Sequence, residues 1–281
     1  MIALVLFLAA LPAPTLADDM AREMKQPTTA PILANRHVVF VGGFSSELVF
    51  WFFVDNERAA RALGAATTII TPPSLLPIDV NVEMLRRRIL AIRKADKRPI
   101  VLAGHSKGGA EVLLFALRYP EFLLDGTIES VLSIQGALGG SPIADAFRGV
   151  IDLVPLGGGI PSRLRSRPHA MFRLALVDMH DRLSKDEVDR VSRKIYYVRS
   201  AQVPEKIPLL FRSTQIWMAK LHRRNDGVIL TRDMKLDGIG TDLGVLDSDH
   251  TGLTIWFPGN GTEASRSAFT RAVLRRIHRS S

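Results

Sequence analysis

The chain has 281 residues, 47% of them apolar, a net charge of +9 and no cysteine. That length suits one large domain or two small ones, with enough apolar residues for a sizeable core. The lack of cysteine excludes disulfides and thiolate metal sites, so a covalent nucleophile would have to be an oxygen or a nitrogen.

Ile2 to Leu11 is an uninterrupted apolar run, too short to span a bilayer comfortably. Pro12 and Pro14 break it, and Thr15-Leu16-Ala17 precedes Asp18-Asp19. A small-x-small site after such a run has the form of a secretory signal peptide over residues 1–17, although no Lys or Arg precedes the run. A periplasmic or secreted location is therefore expected, with residues 18–35 as a polar lead-in and a single domain over 36–281. Arg36 to Val41 reads as a strand buried on both faces, ending at Gly42-Gly43-Phe44-Ser45-Ser46. A helix is expected from Glu47 to Leu63, closed by Gly64, and a second strand from Ala66 to Thr71, stopped by Pro72-Pro73. Val82, Leu85, Ile89 and Ile92 share one side of a predicted helix over Val80 to Lys94. Further strands are expected over Pro99 to Ala103, Ile128 to Ile134 and Arg193 to Arg199, with a helix over Ala110 to Leu117. Strands alternating with helices predict an α/β fold: a mostly parallel central sheet with helices on both faces. Reactive groups in such sheets gather outside the carboxyl ends of the strands. The glycine-rich loops after Val41, Ala103 and Ile134 all fall at that edge.

The positive charge is spread over Arg86-Arg87-Arg88, Arg163 to Arg167, Arg223-Arg224 and Arg266 to Arg279. In the last stretch Phe269, Val273, Leu274 and Ile277 recur at helical spacing, with Arg271, Arg275, Arg276 and Arg279 around them. This predicts a docked C-terminal helix with a solvated basic face. The alternative is peripheral attraction to an anionic membrane surface. No nucleic-acid recognition motif accompanies the charge.

Between the strand ending at Ala103 and the helix beginning at Ala110 lies Gly104-His105-Ser106-Lys107-Gly108-Gly109. A strand that turns into a helix within a few residues strains the turning residue, and glycines two before and two after it remove side chains that would clash. This is a nucleophile elbow, and here the sequence resembles the α/β-hydrolase family, in particular bacterial triacylglycerol lipases and esterases. The resemblance implies the α/β-hydrolase fold, a carboxylic ester or lipid substrate, and no cofactor.

A serine hydroxyl needs a base, and the base needs an acid to orient it. In this fold the order along the chain is Ser, acid, His. His37 and His105 precede Ser106, His169 and His180 lie in an apparent insertion, His222 adjoins two arginines and His278 lies among arginines on the last helix. His250, in a loop after a short apolar run, remains as the base. Asp226, in Asn225-Asp226-Gly227-Val228-Ile229, is the candidate acid and resembles the acid-bearing turn of bacterial lipases; Asp233, Asp237, Asp242, Asp247 and Asp249 are rivals. Two backbone amides have to meet the oxyanion. Lys107, after the nucleophile, is one; Phe44, with Ser45 as runner-up, is the other by analogy with the family, whose loop usually reads His-Gly-x where this chain reads Gly42-Gly43-Phe44.

Gln135 to Asp145 is similar to the stretch after the next strand in bacterial lipases. The segment 147–189, apolar and glycine-hinged, stands where that family carries a lid, or else is a pair of packing helices. The family often binds calcium near the histidine loop; Asp247 and Asp249 are available there, but no ligand set emerges. Two other readings stay open: an acyltransferase or thioesterase using the same site, and a non-catalytic protein that binds lipid or membrane.

Overall fold

The computed structural model describes residues 13–145 and 168–280. Six strands form one parallel sheet: β1 (His37–Val41), β2 (Ala66–Ile70), β3 (Ile100–His105), β4 (Ile128–Ile134), β5 (Ile195–Ala201) and β6 (Thr241–Asp247), in the order β2-β1-β3-β4-β5-β6. The order reverses between β1 and β3, the switch point at whose carboxyl ends open α/β sheets place their sites.

The helices are α1 (Leu16–Lys25), α2 (Val54–Ala62), α3 (Ile78–Ala95), α4 (Lys107–Arg118), a single turn α5 (Glu121–Leu124), α6 (Pro168–Arg182), α7 (Lys185–Arg193), α8 (Leu209–Ala219) and α9 (Glu263–Ser280). Side chains alternate across a strand, and here both faces are covered. Val39, Val41 and Leu102 pack with α3, α4 and α6 in one core; Val38, Phe40, Val101 and Ala103 pack with α1, α2 and α9 in the other. The apolar side expected for α3 is inward, with Val82, Leu85 and Ile89 buried and Ile92 partly buried. Of the expected lid segment, residues 147–167 lie outside the described residues. The rest forms α6 and α7, and Phe172, Ala175 and Met179 of α6 are buried in the core shared with α4.

One expectation is corrected. The helix expected from Glu47 begins only at Val54, because Phe53 adopts φ 62° and turns its ring into the core, where its amide donates to Thr254 O at 3.0 Å. Nearer the N-terminus, α1 starts inside the expected signal segment, is capped by a reciprocal Thr15–Asp18 box, and docks on α9. Residues 1–12 lie outside the described residues.

That docking also revises the solvated basic face expected of α9. Glu23, 1% exposed, receives Arg271 at 3.2 Å and also Arg275. Arg276 donates to Asp19 at 2.8 Å. Arg266 is buried and donates to Asp55 at 2.7 Å. Four arginines of the basic stretch are therefore partnered within the fold. Among the described residues no helix is long and apolar enough to cross a membrane.

Glu23 is the carboxylate between two guanidinium groups, so removing it strands two partly buried positive charges. Glu23→Ala should lower the unfolding free energy in urea by about 3 kcal/mol.

Candidate active site

β3 ends at His105, and α4 begins at Lys107, leaving one residue to make the turn. Ser106 makes it at φ 57°, ψ −121°, a conformation strained for a residue with a side chain. The turn is possible because the surrounding backbone lies very close. A Cβ on Gly104 would stand 2.2 Å from Gly108 O, and one on Gly108 2.4 Å from Val41 O and 2.5 Å from Gly42 O. The N-terminus of α4 is therefore wedged between the end of its own strand and the end of β1. Ser106 is tied down by its amide to Ile134 O at 3.0 Å and by its carbonyl to Ala137 N at 3.0 Å.

His250 follows β6 in a loop shaped by Asp249, whose Oδ1 accepts from Thr251 N at 2.7 Å, Thr251 Oγ1 at 2.6 Å and Gly252 N at 3.1 Å. Its amide donates to Asp226 O at 3.0 Å, which sets the two loops in register. Asp226 sits in a turn closed by the Asn225–Leu230 bridge, with Gly227 at φ 95°. Its Oδ1 accepts from Val228 N at 3.0 Å and Ile229 N at 2.8 Å, which leaves Oδ2 facing inward.

The structure brings Ser106, His250 and Asp226 together. His250 Nε2 is 2.9 Å from Ser106 Oγ, and His250 Nδ1 is 2.8 Å from Asp226 Oδ2. The carboxylate fixes the tautomer: Nδ1–H donates to it, and the Nε2 lone pair is left to accept the serine hydroxyl proton. All three residues are buried, Asp226 completely. Burial alone would raise the Asp226 carboxyl; the adjacent His250 imidazole and the Ile229 and Val228 amides outweigh it and hold the group below the ordinary carboxylate range. The rival acids pair elsewhere: Asp237 with Lys235, Asp242 with Arg199, Asp247 with Lys206, and Asp233 lies near His169 and Arg232. Asp249 serves its own loop. Among the described residues no group of three or more His, Asp or Glu could hold a metal ion.

The loop after β1 runs against the elbow, since a Cβ on Gly43 would lie 2.9 Å from both Ser106 Cβ and His105 O. The Ser45 amide is committed to Ser74 Oγ at 2.5 Å. The Phe44 amide donates to no acceptor among the described residues. The Lys107 amide is the first of α4 and has no intrahelical acceptor, at the end where the helix dipole favours negative charge.

Three buried polar residues complete the site without having been singled out as site residues from sequence. Gln135, at φ 48° just after β4, has Nε2 2.6 Å from Ser200 Oγ, 2.9 Å from Asp249 O and 3.3 Å from Asp226 Oδ2. Ser200 Oγ donates to Asp226 Oδ2 at 3.0 Å. His105 Nε2 donates to His250 O at 2.8 Å and to Gln135 Oε1 at 3.2 Å. Burial, reinforced by neighbouring His250, pushes the His105 imidazole down to about 3, so it stays neutral in the folded chain. The available signal was a polar side chain at or just beyond the end of an otherwise apolar strand, as with Ile134-Gln135.

No protein-family model and no curated protein matches the chain. Solved structures do match. The structure of a metagenomic carboxyl esterase aligns over 88% of this chain and 77% of its own, with a TM-score of 0.68 and 23% identity. The chain has the α/β-hydrolase fold. A lipase of Bacillus licheniformis in its mature form matches the same hydrolase fold over 76% of this chain and 84% of its own, with a TM-score of 0.58 and 19% identity. Within that fold, Ser106 occupies the sharp strand-to-helix turn, and His250 and Asp226 reach it from loops beyond β5.

His105 predicts an acid sensitivity. Its ordinary value is 6.5 and its folded value about 3, so between these the unfolded chain binds a proton that the folded chain refuses. Stability should therefore fall as pH drops from about 6.5 toward 3, by up to about 1.4 kcal/mol per pH unit from this residue. Urea titrations at pH 6 and pH 4 should show a smaller loss in His105→Gln than in the unmodified chain.

The close approach at the elbow yields a second expectation. Gly108→Ala sets a methyl group against two backbone carbonyls that cannot rotate away, and should cost about 3 kcal/mol in the same titration.

Proposed function

We propose that the protein is a serine hydrolase that cleaves carboxylic esters through an acyl-enzyme, with Ser106 as nucleophile, His250 as general base and Asp226 as the acid that orients it. The observation that carries this reading is the 2.9 Å contact between His250 Nε2 and a serine hydroxyl on a positive-φ turn at a helix N-terminus.

Ser106 Oγ attacks the ester carbonyl carbon while His250 Nε2 takes the hydroxyl proton. The carbonyl π pair moves to oxygen, and the Phe44 and Lys107 amides stabilise that oxyanion. Asp226 stabilises the imidazolium formed on His250. The tetrahedral intermediate collapses, the C–O bond to the alcohol breaks, and His250 returns the proton to the departing alkoxide. Water, deprotonated by His250, then attacks the acyl-enzyme; the ester bond to Ser106 breaks, its Oγ regains the proton, and the carboxylic acid leaves. His105, Gln135 and Ser200 hold the base and the acid in place without contacting the substrate.

An apolar acyl group is the substrate class that fits the approach to Ser106. Phe44, Leu48 and Phe50 of the loop after β1, and Leu75 of the loop after β2, are exposed at that end of the sheet. The names of the fold's solved relatives, a carboxyl esterase and a lipase, favour the same chemistry. We also propose export, on the apolar run and small-x-small site at the N-terminus.

A p-nitrophenyl butyrate assay with mass spectrometry after fluorophosphonate treatment tests the mechanism. The unmodified protein should carry the adduct on Ser106, and Ser106→Ala and His250→Ala should each lower kcat by about a thousandfold or more. Full hydrolysis by folded Ser106→Ala would overturn it.

A further inference from the structure

The side chain of Lys107 has no part in the mechanism above, yet it is largely buried beside the nucleophile. Its ammonium carries three donors. Within its reach are three backbone carbonyls of the loop after β2: Leu76 O at 2.7 Å, Ser74 O at 2.8 Å and Pro73 O at 3.2 Å. Glu111, one turn along α4 and fully buried, lies 3.6 Å from the same nitrogen. Asn81 of α3 donates to Glu111 Oε1 at 2.7 Å and to Pro73 O at 3.0 Å. The loop after β2 is thus gripped from α3 and α4 together.

The same loop holds the loop after β1. Ser74 Oγ accepts from the Ser45 amide at 2.5 Å and donates to Glu47 Oε2 at 2.6 Å, while the Ser74 amide donates to Glu47 Oε1 at 2.7 Å. Ser45 itself sits at φ 64° and follows Phe44 directly. A continuous polar path therefore joins the side chain of Lys107 to the peptide next to Phe44.

We infer that Lys107 and Ser74 are positioning residues of the oxyanion hole: the Lys107 ammonium, through the carbonyls of the loop after β2 and the Ser74 hydroxyl, sets the Phe44 amide at a fixed distance from the Lys107 amide. The inference rests on the serine-hydrolase reading. One residue then acts at both ends of the site, its amide on the oxyanion and its side chain on the loop that brings the second amide. Two amides on separate loops are effective only if their spacing is set before the charge develops, because preorganisation is what makes them stronger than water. Up to Gly43 the loop after β1 is held by the Gly42 amide on Ile70 O at 2.9 Å and by packing on the elbow; beyond it the Phe44 side chain is largely exposed, and the Ser45 amide is held by Ser74.

The test uses Ser74→Ala, Ser74→Thr and Lys107→Met, each checked for folding by circular dichroism and thermal midpoint. Turnover of p-nitrophenyl butyrate is measured beside inhibition by an apolar trifluoromethyl ketone. That ketone adds to a serine and presents an oxyanion to the same amides. Ser74→Ala and Lys107→Met should lower kcat about tenfold with KM within about twofold, and should raise the ketone inhibition constant by a similar factor. Ser74→Thr, which keeps the hydroxyl, should restore both. Folded Ser74→Ala and Lys107→Met proteins with kcat and inhibition constant within about twofold of the unmodified chain would overturn the inference. So would a fall in kcat with an unchanged inhibition constant, which marks a smaller active fraction. An unmodified protein with neither turnover nor a fluorophosphonate adduct at Ser106 would remove the serine-hydrolase reading and this inference with it. An active unmodified protein with unaffected variants removes this inference alone.

Discussion

The rest of the structure depends on how closely the first turn of α4 approaches the end of β1. The Gly108 Cα faces Val41 O and Gly42 O at distances that exclude even a methyl group. Hydrogen on that carbon lets the helix start where it does, and the early start forces Ser106 into positive φ. The same packing brings the β1 loop up to the serine, where a Cβ on Gly43 would lie 2.9 Å from Ser106 Cβ. The strained turn at Ser106 and the seating of the β1 loop are thus two results of a single backbone packing event, located where the sheet order reverses.

A second constraint is electrostatic. Asp226 is an ionised carboxylate with no exposure to water, a state that is costly unless its oxygens are well occupied. Oδ1 is satisfied locally by two amides of its own turn, and Oδ2 is shared by His250, Ser200 and the more distant Gln135. Gln135 in turn reaches the Asp249 carbonyl, and neutral His105 reaches the His250 carbonyl. The imidazole is therefore held through its ring by the acid and through its peptide by the ends of β3 and β4. A loop histidine acquires the fixity of the sheet.

Some of this was legible in the sequence for specific reasons. The unit from Ile100 to Leu117 announces itself because a buried strand, a glycine-flanked serine and an Ala- and Leu-rich helix each have a strong local pattern. Ile128–Ile134 is bounded as expected because Ile128, Val131, Leu132 and Ile134 make an apolar segment that Gln135-Gly136 closes. Residues 241–247 are weaker, since Thr241-Asp242-Leu243-Gly244 belongs to a half-exposed edge strand and lacks an apolar run. The late start of α2 is set by a tertiary contact, the burial of Phe53, that no local propensity announces. Lys107, Ser74 and Gln135 are ordinary residues in sequence; their partners stand tens of residues away, and only the fold assembles them. The α9 arginines mislead for a related reason: their acids, Asp19 and Glu23, lie at the far end of the chain.

Helix α1 carries a consequence for maturation. Processing after Ala17 would cut between the second and third residues of this helix, removing the Thr15 cap and the buried Leu16 while sparing Asp19 and Glu23. The new α-amino group would lie at the positive end of the helix dipole, an unfavourable place for a cation, with Asp18 and Asp19 as the nearest counter-charges. The trimmed segment would then be held chiefly by its grip on α9 rather than by its own helical start. Its ordering would become a reporter of whether the precursor had been cut.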